Sequence, residues 1–494
     1  MLATTSMVGA RVSALRGAQA CMRICGARRL ASSWADVLQT AKSALAPDSM
    51  SAAQGAAAVS ALTHDPLDVV GQDVSAVRHS IAALLGSGQP SLDRIAKYYF
   101  AAEGKHVRPM IVLLMAKATN GLSAAWGVQR AHAIGEDVDR PMNRETVLND
   151  VNPTAPVPPA VGTARPLPAQ YEPALQHTIL PTQRRLAEIT EMIHVASLLH
   201  DDVIDASPLR RGAPSAPSTF GNKLSILGGD FLLGRASIAL ARLRDPEVTE
   251  LMSTVIANLV EGEVMQLRVQ ESVSERVPVT DLPSTMPSAE ELERFWTAYE
   301  PHTRDADVAP TRRQFQVYLQ KTYLKTASLM AKSARSAAVL GGCGEWATQT
   351  YALSPAQRAD AAAVCDAAYA YGRHVGMAFQ LVDDLLDFRA TTEAFGKPSG
   401  GADLKLGLAT APVLYAWQEL ADSPLGTLVA RRFGEPGDVE QALELVHRSQ
   451  GLERTAQLAR YHTEAAHKAL SVLPTSDARA ALAQLNEQIV TRVK

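Results

Sequence analysis

Cysteine is scarce in this chain of 494 residues. The four cysteines, Cys21, Cys25, Cys343 and Cys365, include no pair at CxxC spacing. That argues against a disulfide framework or a zinc site and fits a reducing compartment. Long apolar runs are missing too: no stretch reaches the roughly 18 uninterrupted apolar residues needed to cross a bilayer, so a soluble or peripheral protein is expected. Neither sign of charge dominates. A formal net charge of -3 sets up no global basic field of the kind that attracts nucleic acid, which leaves anion binding to local basic clusters. Strand-like alternation is nearly absent, and no segment repeats at a fixed period, which speaks against a solenoid.

What is present is ordinary for a folded protein: 47% hydrophobic and 20% charged residues, enough for a sizeable core. The length allows two or three domains, or one large helical domain with insertions. At the N-terminus, Arg11, Arg16, Arg23, Arg28 and Arg29 stand among Ala, Ser and Leu, and the first acid is Asp36. This composition predicts a mitochondrial transit peptide over residues 1–35, the alternative being a disordered basic tail. Half of the 28 prolines fall in the windows 141–181 and 278–310, which mark proline-rich insertions at about 135–181 and 271–312 within a body spanning 36–494. Elsewhere apolar residues recur at three- and four-residue steps in Ala- and Leu-rich sequence, so the framework reads as all-α. The stretch from Lys321 to Leu340 reads as one helix. Another starts where Ser354 can cap and Pro355 can take the first helical position.

Two helices carry acidic stripes. In the segment Glu191–Asp205, the polar residues His194, Ser197, Asp201 and Asp205 share one face, and in Met377–Asp387 the residues Gln380, Asp383, Asp384 and Asp387 do the same. Carboxylates one turn apart repel by about 0.2 to 0.5 kcal/mol on an exposed helix, and in a core an unpaired ion costs several kcal/mol. Six aspartates (Asp201, Asp202, Asp205, Asp383, Asp384 and Asp387) in otherwise apolar helices therefore call for a cation. An all-oxygen set with no thiol nearby suits Mg²⁺ or Mn²⁺ rather than zinc, and Mg²⁺ commonly pairs one or two carboxylates with substrate phosphates. A lone DDxxD run would read as a solvated acidic turn; two with the same apolar flanks read as a diphosphate site.

Basic residues accompany both runs. Lys105 and Arg108 lie upstream; Arg210 and Arg211 follow the first run; Lys325 stands one turn after Lys321 and next to Thr326; Lys397 and Lys405 follow the second run. Guanidinium groups grip phosphate oxygens bidentately and lysine supplies a point charge, so together they can hold two diphosphates. Each pair by itself would be a solvated surface charge.

From about Ser91 to the C-terminus the chain resembles the trans-isoprenyl diphosphate synthases, and among them the long-chain polyprenyl synthases that make the ubiquinone side chain. The resemblance rests on GKxxRP at 104–109, DDxxD at 201–205 followed by RRG at 210–212, KT at 325–326, and FQxxDDxxD at 379–387 followed by GKP at 396–398, in the family's order. Two departures are visible. His106 occupies a motif position that is often basic or aromatic, and the stretch from Lys397 to Asp403 is one glycine longer than the family pattern. The resemblance implies a single large helical bundle of the isoprenoid synthase type with a central cavity, and the two aspartate helices facing each other across its mouth. It implies that Asp201, Asp205 and Asp383 hold Mg²⁺ on an allylic diphosphate, helped by Asp202, Asp384 and Asp387. Arg210, Lys325, Thr326, Gln380, Lys397 and Lys405 would grip that diphosphate, while Lys105, Arg108, His194 and Arg211 would hold isopentenyl diphosphate. For His194 the other reading is a satisfied core histidine. The resemblance also implies a homodimer, with a second, non-identical subunit as the alternative; the predicted transit peptide directs the chain to the mitochondrial matrix, where peripheral contact with the inner membrane is expected.

Product length is expected to depend on the side of the first aspartate helix. Ala196, five residues before Asp201, stands where short-chain members of the family carry a bulky aromatic, and Ile193 and Ile189 lie deeper. Each helical turn rises about 5.4 Å, comparable to one isoprene unit. A small residue at 196 leaves the path open for a long chain, although Ala196 could equally be a packing residue. The competing readings are a shorter-chain synthase, a terpene cyclase, which would lack the extender site and a second intact run, and a non-catalytic subunit of a heteromeric synthase, which would have lost aspartates.

Overall fold

The computed structural model describes residues 65–85, 89–101, 106–135, 138, 178–210, 212–271, 310, 312–389 and 400–491. The basic N-terminal segment, most of both proline-rich insertions, and the candidate residues Lys105, Arg211 and Lys397 lie outside them. The elements run α1 (Pro66–Leu84), α2 (Pro90–Ala101), α3 (Val107–Thr119), α4 (Trp126–Gly135), α5 (Pro181–Ile204), a hairpin of β1 (Leu209–Arg210) and β2 (Ala213–Pro214), α6 (Ala216–Phe220), α7 (Asn222–Ala241) and α8 (Pro246–Glu271). There follow α9 (Arg312–Thr322), α10 (Ser328–Ala338), α11 (Glu345–Thr350), α12 (Pro355–Arg389), α13 (Ala402–Lys405), α14 (Ala411–Glu419), α15 (Leu425–Ala430), α16 (Asp438–Arg448), α17 (Gly451–Leu470) and α18 (Asp477–Thr491). The expected helical framework is what forms, and the antiparallel pair β1–β2 is the one sheet among the described residues.

Local signals explain where several helices begin. The Asp65 carboxylate accepts from the Leu67 N–H at 2.9 Å, with Pro66 in the first helical position of α1. At the start of α12 the Gln357 N–H donates to Ser354 Oγ at 3.4 Å, and the Ser354 N–H donates back to Gln357 Oε1 at 3.0 Å. This reciprocal cap launches a helix of 35 residues, about 52 Å long.

Among the described residues two large apolar cores form, beside a small cluster of Trp126, Ala133 and Leu180. One gathers α1, α3, α5, α7 and α10 with the first half of α12, through Ile111, Leu114, Ile189, Met192, Leu232 and Tyr371. The other gathers α9 and α14–α16 around the second half of α12, through Phe315, Met377, Leu381, Tyr415 and Val446. Helices α12 and α17 pack along each other and contribute to both cores, so α12 carries the second aspartate run on a rod fixed at both ends.

The segment read as a plain helix over Lys321–Leu340 is a correction. The helix begins earlier, at Arg312, and opens into two π-helical turns, Tyr323–Ala327 and Val339–Cys343. Spacing of apolar residues does not reveal such turns, because the stripe continues on both sides. The first packs closely across the interface: a Cβ on Gly376 of α12 would stand 2.5 Å from Ala327 Cα, and one on Gly372 would stand 2.4 Å from the Met330 carbonyl oxygen. Backbone meets backbone there. Turns of this kind occur often at functional sites, and the first contains both Lys325 and Thr326.

Candidate active site

Helix α5 delivers the first aspartate run at its C-terminal end. Asp201 and Asp205 are one turn apart, tied by the Asp205 N–H donating to the Asp201 carbonyl at 2.8 Å, and both are partly buried. Asp202 is rotated by about 100° from Asp201 and is fully buried. The Tyr99 hydroxyl donates to its Oδ2, and Arg210, on β1, donates from Nε to Oδ1 at 2.9 Å and also from Nη2. A carboxylate buried so completely needs a hydrogen-bonded cation. Asp202 and Arg210, expected at the metal and at the diphosphate respectively, are thus joined to each other.

Burial pushes the Asp201 carboxyl up to about 6; Lys325 opposes the rise, and Glu263 and Asp205 add to it. The Asp205 carboxyl is raised for the same reasons in the same order: burial first, against Lys325, with Glu263. Both acids therefore sit beside one lysine and one further acid. Lys325 pairs with Glu263 of α8 and donates to Gln266 Oε1 at 3.2 Å. Gly262 makes room for this: a Cβ there would lie 2.6 Å from Lys325 Cγ.

The second run follows the same pattern of exposure. Asp383 and Asp387 are partly buried, whereas Asp384 between them is buried. The Tyr318 hydroxyl donates to Asp384 Oδ2 and the Gln380 amide donates to Oδ1 at 2.9 Å, while Thr326 Oγ1 donates to Gln380 Oε1 at 2.8 Å. Burial still raises the Asp384 carboxyl, against these hydrogen bonds and the nearby Lys321. Asp387 turns toward the next loop, accepting from the Ala402 N–H at 2.9 Å and the Asp403 N–H at 3.1 Å, and so caps α13. Asp403 joins the cluster; burial pushes its carboxyl up to about 7, with Asp384 and Asp387 adding to the rise. Burial lowers Lys321, which lies among Asp384, Asp403, Lys325 and Glu263.

Arg108 and His194 meet at 3.0 Å between Nη1 and Nε2. Arginine can only donate, so Nε2 accepts and the ring proton is on Nδ1. The Arg108 guanidinium also lies 5.8 Å from the centre of the Phe379 ring, next to Gln380, and so spans from α5 to α12. His106, at the start of α3, takes a left-handed backbone (φ 44°), and its Nδ1 lies 3.5 Å from Glu191 Oε1, one turn below His194. Lys405 is exposed at the end of α13. Ala196, Ile193 and Ile189 are all buried in the first core.

The structure therefore joins Asp201, Asp205, Lys325, Thr326, Gln380 and Asp384 through the π turn, and Arg108 with His194 beside it. The motifs did not point to Glu263, Gln266, Tyr99, Tyr318 or Asp403 as members of the cluster. For Glu263 a signal existed: an acid next to Gly262 on a helix that also carries Met252 and Val255 in the core. Among the described residues no three His, Cys, Asp or Glu side chains close around an ion unaided.

The polyprenyl synthetase family model matches residues 169–446. A probable mitochondrial hexaprenyl pyrophosphate synthase of Neurospora crassa is 46% identical over 87% of this chain and 82% of its own length. The mitochondrial hexaprenyl pyrophosphate synthase of Saccharomyces cerevisiae is 42% identical over 88% and 92%. Among solved structures, a polyprenyl synthase from Caulobacter crescentus, crystallised with calcium and isoprenyl diphosphate, superposes with a TM-score of 0.57 at 26% identity, covering 87% of this chain and 97% of that one.

Proposed function

Because the chain belongs to the polyprenyl synthetase family and is a long-chain polyprenyl diphosphate synthase, we propose that Asp201, Asp205 and Asp383 hold Mg²⁺, or Mn²⁺ in its place, on the diphosphate of an allylic substrate. The observation that carries this reading is the shared lysine pair. Lys325 and Glu263 act on Asp201 and Asp205, and Lys321 lies among Lys325, Glu263, Asp384 and Asp403, so both acidic runs meet at one basic segment. Excess carboxylate held out of water beside two lysines suits a diphosphate bridged by a divalent ion.

Bound Mg²⁺ supplies Lewis-acid stabilisation of the charge on the departing diphosphate. Lys325, Thr326 and Gln380, with Lys397 and Lys405, orient that diphosphate. Arg210 contributes through its grip on Asp202 and by its positive charge near Asp201. Lys105, Arg108, His194 and Arg211 hold isopentenyl diphosphate so that its double bond faces the allylic carbon. The proton lost after attack passes to the released diphosphate. Apolar neighbours of each run, among them Leu199 and Leu385, exclude the water that would trap the cation as an alcohol. Ala196, with Ile193 below it, sets product length.

Residues 1–35 act as the transit peptide to the mitochondrial matrix, and residues 36–494 form the synthase, a homodimer in contact with the inner membrane. The test is an assay of the full chain with farnesyl diphosphate, radiolabelled isopentenyl diphosphate and Mg²⁺, read by chromatography. Chain extension well beyond C20 is expected; products that stop at C20, cyclised products made without extender, or no turnover would each reject the reading.

A further inference from the structure

The middle aspartate of each run is held by a tyrosine from another helix. Tyr99 of α2 donates to Asp202, and Tyr318 of α9 donates to Asp384. Both acceptors are the second residue of DDxxD, both are buried, at 0% and 2% exposure, and each has a second donor: Arg210, which reaches both oxygens of Asp202, and Gln380, on the Asp384 oxygen that Tyr318 does not take. The two tyrosines lie 103 and 66 residues from their partners and come from unrelated parts of the chain. The same solution thus arises twice.

We propose that Tyr99 and Tyr318 are positioning residues of the metal and diphosphate site, each locking the middle carboxylate of its run inward so that the flanking aspartates keep their aim. An aspartate beside two others has an alternative: it can swing out and join them around the ion. A carboxylate whose two oxygens are both satisfied inside has no reason to do so. A tyrosine suits the task because its ring is rigid and its hydroxyl brings no charge to compete with a cation. Tyr99 is itself fixed, its oxygen accepting from the Ala216 N–H at 2.8 Å. Its neighbour Tyr98 donates to the Pro214 carbonyl at 3.0 Å, so α2 also staples the hairpin that carries Arg210. Tyr318 lies on the helix that continues into Lys321 and Lys325, so one element fixes Asp384 and presents both lysines.

This inference rests on the metal and diphosphate reading above, and the test separates the two. Full-length wild type, Tyr99→Phe, Tyr318→Phe, Asp201→Asn and Tyr371→Phe are titrated with Mn²⁺ in the presence of an unreactive thio analogue of farnesyl diphosphate. Free Mn²⁺ is followed by electron paramagnetic resonance, and Tm by calorimetry. Tyr371 is the control: its buried hydroxyl donates to the Leu482 carbonyl at 2.8 Å, so its loss lowers Tm without touching an aspartate. Removing the outer partner of a metal site commonly weakens binding about 10- to 100-fold. Tyr99→Phe and Tyr318→Phe should each bind Mn²⁺ at least about 10-fold more weakly, and Tyr371→Phe as wild type does. If one of the two fails to fold, the other decides. Binding lost in Asp201→Asn but retained in both tyrosine variants overturns the positioning role alone. A wild type that takes up no Mn²⁺ with the analogue, or an Asp201→Asn that still does, overturns the site reading and this inference together.

Discussion

Replacing Lys325 by Gln removes the charge beside Asp201 and Asp205 and takes from Glu263 its ion-pair partner. Glu263, only 8% exposed, loses its cation. Breaking a buried ion pair from one side costs about 3 to 5 kcal/mol; Lys325 keeps 20% side-chain exposure, which favours the lower end, about 3 kcal/mol. Independently, losing one preorganised group that stabilises developing charge lowers kcat by about 10² to 10³. Lys325 also holds down the Asp201 carboxyl, so its removal lifts that group further above about 6 and moves the acid limb of the kcat/KM profile to higher pH. The decisive comparison is the double variant Lys325→Gln, Glu263→Gln, which leaves no orphaned carboxylate. Urea unfolding should show stability returning toward wild type, while steady-state assays with farnesyl and isopentenyl diphosphates show kcat still depressed. If kcat recovers along with stability, Lys325 serves only as the structural partner of Glu263 and the catalytic reasoning is refuted.

Other consequences follow from the same geometry. Ala196→Phe places a ring about 7.5 Å along α5 from Asp201, at a site with no exposure; overpacking should cost about 1 to 3 kcal/mol and shorten the product to a few isoprene units, and an unchanged chromatogram would remove Ala196 from chain-length control. The Asp201 carboxyl is raised to about 6 and that of Asp205 is raised as well, so the metal-free fold gains a proton at Asp201 as pH falls through about 6, and a divalent ion must displace it. The rise in Tm caused by Mg²⁺ with a diphosphate analogue should therefore grow from about pH 5 to pH 7 and then level off; a constant rise would contradict the burial of these acids. Gly376→Ala drives a Cβ to within 2.5 Å of the Ala327 backbone, which should cost about 1 to 3 kcal/mol in denaturant unfolding and raise the KM for the allylic substrate, since Thr326 is displaced with Ala327.

Much of the site was legible because its chemistry repeats. DDxxD at helical spacing places its first and last carboxylates on one face whatever the surrounding fold, and the apolar flanks of both runs state that the face lies near a core. The helical framework was equally plain, and the start of α12 at Ser354 and Pro355 could be named from two residues, because a cap is a local interaction. Long-range partners were not legible. Nothing near Asp202 announces that Tyr99 will meet it, and nothing near Lys325 announces Glu263, since both contacts exist only after α2 and α8 have packed. The π turn at Tyr323–Ala327 escaped because the apolar stripe continues on both sides of it, and its close approach to Gly376 is made by a different helix. Arginine after an acidic run has two destinations, the substrate or the run itself, and the bond from Arg210 to the buried Asp202 appears only once the hairpin has folded.

On this mechanism both aspartate runs serve a single ion-bound diphosphate. Crystals soaked with Mn²⁺ and an unreactive allylic thiodiphosphate, measured for anomalous scattering, test it directly. Mn²⁺ peaks are expected between the Asp201 and Asp205 carboxylates on one side and Asp383 on the other, with the diphosphate reaching Lys325. Peaks confined to one run, or on the outer surface away from Lys325, would contradict it.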